Sequence, residues 1–165
     1  MTTTPRLTLP LIAPGQMQKE LFHNESLAIL DALVAAAVEQ PPLSTPPASP
    51  IIGSCYIVDA SPTGEWTEHA GHIASFSAGG WRFIAPQEGM SVFVREIGAA
   101  AVYHGGGWEV GTLAGSEVKI EGKKVLGPRG FAIAAPSGGT TIDAEARVAI
   151  GQILVAMREH GLIEI

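Results

Sequence analysis

Two stretches of the sequence, IASFSAGGWRF (residues 73–83) and AAVYHGGGWEV (residues 100–110), share one pattern and decide the fold class. In each, small and apolar residues lead to an aromatic residue, a glycine-rich segment and a tryptophan. Glycine adopts the positive φ angles of tight turns without a Cβ clash. The pattern therefore predicts two β-hairpins, with residues 104–107 as the turn of the second.

The HGGG string at residues 104–107 also matches a segment that supplies oxyanion-hole donors in lipases and esterases. Such donors need a nucleophilic serine in a Gly-x-Ser-x-Gly turn. Ser91 follows Gly89 by two positions but has Phe93 two positions later, and Ser137 lacks the first glycine. The sequence argues against a hydrolase, and we expect no enzymatic activity.

Short apolar runs of the same kind surround the two hairpins. The predicted strands are SCYIV, HIASFS, WRFIA, MSVFVR, AAVYH and WEVG, and EVKIEGKKVLG is a further predicted hairpin. We expect an α+β fold, mainly β: a small antiparallel sheet or barrel of short strands, with an N-terminal arm and helix and a C-terminal helix. The predicted parts are an extended arm (1–14), a helical segment (15–40), a proline-rich connector (41–50), a β domain (51–135), and a C-terminal loop and helix (136–165).

The first helix is predicted most clearly from Glu25 to Val38, with Asn24 as its N-cap. The spacing of its apolar residues by three and four positions predicts one apolar face. That face contains Leu27, Leu30, Val34 and Val38. Three prolines in the preceding arm favour extended chain over a helix.

The second helix is predicted near the C-terminus, with Thr140 or Thr141 as its cap and Gly161 at its end. Its apolar stripe approaches a seven-residue repeat, which predicts either a short coiled-coil seam or a helix lying on the sheet. We take the stripe as a candidate oligomerisation surface. Its members are Ala146, Ile150, Ile153 and Met157, with Ala149 and Ala156 as alternatives.

Charge and composition exclude several functional classes. The formal charge is −6 with 10 lysines and arginines, which gives no basic footprint for a nucleic acid. The N-terminus lacks the continuous apolar region of a signal peptide, and no stretch is apolar enough to span a membrane. The single cysteine, Cys55, lies in the apolar run SCYIV and is predicted to be a buried small residue.

Histidines and carboxylates offer weaker candidate sites. His69 and His72, beside Glu68, are three positions apart, but a metal ion needs three or four ligands and no further cluster accompanies them. We therefore expect no metal site and no cofactor. Four acidic residues could supply a carboxylate pair for glycoside hydrolysis, although solvated surface acids are the default interpretation. They are Glu65, Glu68, Glu88 and Glu96.

Three tryptophans follow glycine-containing turns, and two roles are open to them. Aromatic rings at hairpin ends can stack on sugar rings, or they can fill the small core of a β domain, which is the favoured role. The carbohydrate-binding candidates are Trp66, Trp81, Trp108 and Tyr103.

The chain resembles a domain-of-unknown-function family found in alphaproteobacterial prophages and gene transfer agents. The resemblance rests on LPLIAPGQMQKELFHNESLAILDALV, PPASPIIGSCYIV, GEW, GGWRFIAPQEG and a second GGW. Its most specific block contains Gly15, Gln16, Gln18, Lys19, Glu20, His23, Asn24 and Glu25. The tail IAAPSGGTTIDAEARVAIGQILVAMREHGLI is similar to segments often joined to that domain.

The resemblance implies a non-enzymatic virion structural protein, such as a phage tail-fibre component or a gene-transfer-agent head spike, with no catalytic residues. It implies a particle location after synthesis in the bacterial cytoplasm, and other virion proteins as partners. We expect a homo-oligomer, with a trimer favoured, and contact with host-surface polysaccharide. The alternative is a free-standing carbohydrate-binding module or a small glycan-cleaving domain.

Overall fold

A computed structural model describes residues 3–12 and 19–164, which divide into two units with a boundary after Thr112. This boundary lies inside the range 51–135 that the sequence assigned to one β domain. The described residues contain two α-helices and nine β-strands. The helices are α1 (Lys19–Leu33) and α2 (Ala144–Glu159); the strands are β1 (Ala37–Val38), β2 (Cys55–Ile57), β3 (Ile73–Ser77), β4 (Gly80–Ile84), β5 (Ser91–Val94), β6 (Ala99–His104), β7 (Gly107–Val110), β8 (Val118–Ile120) and β9 (Lys123–Leu126).

The strands form three separate small sheets, and the described residues contain no closed barrel. Their orders are β1-β5-β6-β7, β2-β3-β4 and β8-β9. All pairs are antiparallel except β1 and β5, which run parallel. The α+β prediction is confirmed. Of the predicted alternatives, a small antiparallel sheet or a barrel, the described residues form small sheets.

Both predicted hairpins with tryptophans are confirmed. In β3-β4 Phe76 pairs with Trp81, and in β6-β7 Tyr103 pairs with Trp108. The five-residue spacing in the sequence is therefore a cross-strand pairing, because a two-residue turn brings these positions opposite each other. The third predicted hairpin is confirmed as β8-β9, which turns at Glu121 and Gly122.

The N-terminal unit has two apolar clusters, one on each face of the β2-β3-β4 sheet. Alternation along β2 sends Cys55 and Ile57 into the first cluster and Tyr56 into the second. The first cluster also contains Val92 and Val94 of β5, so it joins the two larger sheets of this unit. The prediction of a buried Cys55 is confirmed, and burial raises the pKa of its thiol.

Helix α1 differs from the prediction in its cap and at its C-terminal end. Its described residues start at Lys19, so Asn24 lies within it and is not an N-cap. Asn24 Nδ2 instead donates to Ile12 O and Asn24 Oδ1 accepts from Ile12 N, each at 3.0 Å. The helix ends at Leu33, and Ala35 has a left-handed φ of 49°. Val38 belongs to β1, not to the helix. The run of apolar residues fits either structure, and burial of Val38 in the core favours the strand.

The predicted helical face is also wrong in its position, because Leu30 and Val34 are exposed. The helix instead buries Ala32 and Asp31, which is only 3% exposed. The described N-terminal residues fold around that carboxylate, with a turn at residues 5–7 where extended chain was predicted. Asp31 accepts hydrogen bonds from Thr4 Oγ1 at 2.7 Å and from the backbone N–H groups of Arg6 and Leu7.

The proline-rich connector packs beside β2. Leu43 forms a parallel bridge with Val58, donates to Ile57 O at 3.0 Å and accepts from Asp59 N at 2.8 Å. The Leu43 side chain joins the second apolar cluster. This connector is therefore part of the N-terminal unit.

The C-terminal unit contains the β8-β9 hairpin and α2. The helix is capped by Asp143, whose carboxylate accepts from Ala146 N at 2.8 Å, and not by Thr140 or Thr141. An aspartate at this place satisfies an otherwise unpaired N–H and carries the negative charge that a helix N-terminus favours. Gly161 follows the last turn with a φ of 67°, as predicted. Neither helix of the described residues has the length and apolarity needed to cross a bilayer.

Candidate functional site

The β6-β7 hairpin and the loop before β3 form a cleft of about 350 Å³ in the N-terminal unit. Two aromatic rings, one carboxylate and small residues line it. Among the lining residues are Asp59, Ala60, Ala70, Gly71, Tyr103 and Trp108. The cleft combines apolar surface with a few polar groups, which is the usual character of a small-ligand site.

Cross-strand pairing fixes the two rings of the cleft. The ring centroids of Tyr103 and Trp108 lie 5.5 Å apart at 66°, an edge-to-face arrangement. Trp108 Nε1 donates to Gly71 O at 2.7 Å, which orients the indole. Gly71 has a φ of 74°, and its own N–H donates to Val58 O at 2.9 Å. The loop before β3 and the hairpin therefore hold each other in place.

The tip of this hairpin is closed by two glycines with positive φ, Gly105 at 58° and Gly106 at 88°. Glu88, from the loop before β5, bonds the His104 imidazole and accepts from Gly105 N at 3.2 Å. The hydrogen bond and the negative charge of Glu88 raise the pKa of His104. Both side chains are exposed. Glu88, one of the four glutamates named as candidates for glycoside hydrolysis, thus has His104 as its partner. No sequence pattern indicated this contact.

Trp66 has a different role from Trp108. It ends a short 3₁₀ turn (Gly64–Trp66), is 0% exposed and covers the outer face of the β2-β3-β4 sheet. Its ring centroid lies 5.1 Å from that of Trp81 and 5.9 Å from that of Tyr56. A fully buried ring cannot stack on a ligand, so Trp66 is a core residue in this structure and not a carbohydrate platform.

The four residues predicted from the sequence to bind carbohydrate do not all lie together. Trp81 is half-buried against Trp66 and Phe76, away from the cleft lining. Of the four carbohydrate-binding candidates the structure therefore brings together only Tyr103 and Trp108. Asp59 and Gly71, which join them at the cleft, were not identified from the sequence; a loop carbonyl and a lone exposed aspartate carry no sequence signature.

His69 contacts an aromatic ring on one side and the neighbouring His72 on another. His69 stacks on Phe83 with centroids 3.6 Å apart, and the centroids of His69 and His72 are 5.4 Å apart. His72 Nδ1 lies 3.1 Å from Ala70 O. Within residues 3–12 and 19–164, no group of three or more histidines, cysteines and carboxylates is arranged to hold a metal ion.

Residues 23–109 match the family described as "Protein of unknown function (DUF2793)", and this span is just over half of the 165 residues. The chain belongs to the DUF2793 family. The DUF2793 span begins within α1 and ends in β7, so it contains both tryptophan hairpins, Trp66 and the cleft. This membership confirms the resemblance to a family of unknown function. No curated protein matches the chain.

Proposed function

We propose that the chain is a non-enzymatic structural protein of a phage-like particle or gene transfer agent, of the spike or fibre type. It is made in the bacterial cytoplasm and joins other virion proteins in the particle. Support comes from DUF2793 membership over residues 23–109 and from the sequence resemblance described above, which extends beyond that span.

The observation that carries a structural role is the exposed apolar surface of the C-terminal unit. Phe131 is 86% exposed, and most large apolar residues of this unit are exposed with it. Large exposed apolar surfaces often mark sites of association, where the subunits of an assembly bury them against partners. This surface favours a protein that works as part of a larger assembly.

Particle purification tests this role directly. A host carrying the gene would be induced, and its particles separated on a density gradient. We expect the chain to sediment with the major capsid protein and to be absent from particles of a deletion strain. Recovery of the chain only in the soluble fraction would contradict the proposal.

Contact with host-surface polysaccharide is the second part of the proposal, and the Tyr103–Trp108 cleft supports it. Sugar C–H faces stack on aromatic rings, and the exposed Asp59 carboxylate can accept from sugar hydroxyl groups. The same observation favours the second candidate, a carbohydrate-binding module that acts without a particle. The sedimentation experiment distinguishes the two candidates.

Binding to purified host polysaccharide tests the cleft. Trp108→Ala removes one ring and should weaken binding at least tenfold. Phe22→Ala is the control for loss of an aromatic residue elsewhere, because Phe22 is exposed and lies outside the cleft; since Trp108 also packs against the first apolar cluster, the fold of Trp108→Ala is checked by circular dichroism. Equal loss in both variants, or no loss in Trp108→Ala, would exclude the cleft as the glycan site.

A further inference from the structure

The C-terminal unit has an ordered backbone but almost no apolar core. Within residues 113–164, Leu154 and Ile163 are the only large apolar residues that are buried. The exposed ones are Leu113, Val118, Ile120, Val125, Leu126, Phe131, Ile133, Ile142, Val148, Ile150, Ile153, Val155 and Leu162. A segment of about 50 residues with so small an apolar core usually gains stability from oligomerisation, disulfides or a metal. Its sequence contains no cysteine, which leaves oligomerisation as the route that its apolar surface supports.

Polar bonds hold one side of α2. The segment 129–138 runs along the helix, and it is fixed mainly by arginines that donate to its carbonyls. Arg158 donates to Ile133 O at 2.7 Å, and Arg147 donates to Gly138 O. At the other end Gly130 N donates to Leu162 O at 2.7 Å. This side of the helix is therefore occupied within the chain.

A second face of α2 is apolar and, apart from the half-buried Met157, exposed among the described residues. It carries Ala146, Ile150, Ile153 and Met157, whose spacing of four, three and four positions is that of a coiled-coil seam. Ile150 is 42% exposed and Ile153 is 58% exposed. At about 100° per residue, this seam lies roughly a quarter of a turn from the side that carries Arg147, Leu154 and Arg158. The segment 129–138 therefore leaves it open.

The two units differ in formal charge, and this difference favours association of identical chains through the C-terminal unit. Residues 113–165 contain six lysines and arginines and six aspartates and glutamates, so their formal charge is zero. Residues 1–112 contain four lysines and arginines and ten aspartates and glutamates, which accounts for the whole formal charge of −6. Copies of the neutral unit can approach each other without net repulsion, whereas copies of the acidic unit repel. Association is therefore favoured through the C-terminal unit.

We propose that the face of α2 that carries Ile150 and Ile153 is the contact between three copies of this chain, with the three helices parallel around a three-fold axis. In heptad terms Ile150 occupies an a position and Ile153 a d position. Isoleucine at both positions favours three or four strands over two. This inference deepens the assembly role proposed above, but it requires neither a particle nor a glycan.

Light scattering on the full chain tests the stoichiometry. We expect a mass three times the 17.1 kDa of one chain. The double variant Ile150→Lys/Ile153→Lys places charges in the seam and should lower the mass threefold. Val148→Lys/Val155→Lys is the matched control, since these residues lie on another side of α2 and are similarly exposed. A wild-type monomer or dimer, or loss of the trimer in the control alone, would overturn the proposal.

Disulfide cross-linking tests the orientation without relying on a disruptive variant. Cys55 is buried, so an introduced cysteine is the reactive thiol. Ala146→Cys lies near one end of the helix and should give cross-linked dimers on oxidation, because parallel helices bring the three thiols together at the axis. Val148→Cys should remain uncross-linked. Equal cross-linking in both variants, or none in Ala146→Cys, would contradict a parallel seam.

The two proposals fail separately. A trimer that does not sediment with particles would contradict the virion role but not the proposed contact through α2. A monomer that does sediment with particles would contradict the contact through α2 but not the virion role. Light scattering and sedimentation together therefore assign any failure to one proposal.

Discussion

The hairpins β3-β4 and β6-β7 share one sequence pattern and one cross-strand aromatic pair, yet their tryptophans have different surroundings. Trp81 packs against the buried Trp66, whereas Trp108 reaches a loop carbonyl and lines a cleft. The hairpins are also anchored differently. Arg82 of β4 forms two hydrogen bonds of 3.0 Å with Glu25 of α1, and the tip of β6-β7 is held by Glu88. A local pattern thus specifies a hairpin, and the neighbouring elements determine what its aromatic residues do.

The largest expected effect comes from removing the partner of Trp81. Trp66→Ala leaves a cavity beneath the β2-β3-β4 sheet and should lower the free energy of unfolding by about 4 kcal/mol. Chemical denaturation followed by circular dichroism measures it. A loss below about 1 kcal/mol would mean that the second cluster collapses to fill the cavity, and that the contrast between the two hairpins is weaker than the packing indicates.

The turns of the β6-β7 and β3-β4 hairpins allow two glycine-to-alanine substitutions to be compared. Gly106 has a φ of 88°, so Gly106→Ala should cost about 1.5 kcal/mol in backbone strain, with no side-chain clash to complicate it. Gly79 in the other turn is outside the positive φ region and has room for a Cβ. Gly79→Ala should therefore change stability by less than about 0.5 kcal/mol. Similar losses in the two variants would show that the turns are more alike than their φ angles indicate.

The hydrogen bond from the Trp108 indole to Gly71 O is expected to contribute less to the free energy of unfolding. Trp108→Phe keeps an aromatic ring opposite Tyr103 but removes the donor to Gly71 O, so we expect a loss of about 1 kcal/mol. Faster hydrogen exchange at the Gly71 amide would show that the loop before β3 has loosened. An unchanged exchange rate, with unchanged stability, would mean that ring packing alone positions the loop.

The smallest effect concerns the tip of β6-β7. Glu88 raises the pKa of His104, so Glu88→Gln should lower this pKa towards its ordinary value, as an NMR titration would show. A raised histidine pKa favours the folded state at pH values below the unfolded pKa, and the contribution disappears as pH rises through the folded pKa. An unshifted His104 would exclude Glu88 as its partner in solution.

The strands were more predictable than the helix boundaries. Glycine-rich turns between apolar runs depend on neighbouring residues, so the hairpins of residues 73–83, 100–110 and 117–127 follow from the sequence. The run LVAAAVE suits a helix or a strand, and pairing with β5 made Val38 part of a strand. Thr140 or Thr141 was the predicted cap of α2, whereas the Asp143 side chain forms it. These errors occur where two local structures have similar propensity.

Asp31 shows a different limit of sequence interpretation. It is the only charged residue between Glu25 and Glu39, and this isolation in an apolar run was a usable signal. The pattern does not say which groups would compensate for burying the carboxylate. Those groups come from Thr4, Arg6 and Leu7, about 25 positions earlier. A buried charge needs partners, and their identity is a tertiary property.

By itself, the sequence determined the α+β class, the three hairpins, the end of α2 at Gly161, the burial of Cys55, and an acidic N-terminal part beside a neutral C-terminal part. These properties depend on residue type, spacing and charge, which act locally or add along the chain. The tertiary structure alone decided that Trp66 is core while Trp108 lines a cleft, that Val38 joins a sheet, and that Ile150 and Ile153 of α2 stay exposed. Each depends on which distant surfaces meet, because burial is a property of the packed chain and not of any one segment.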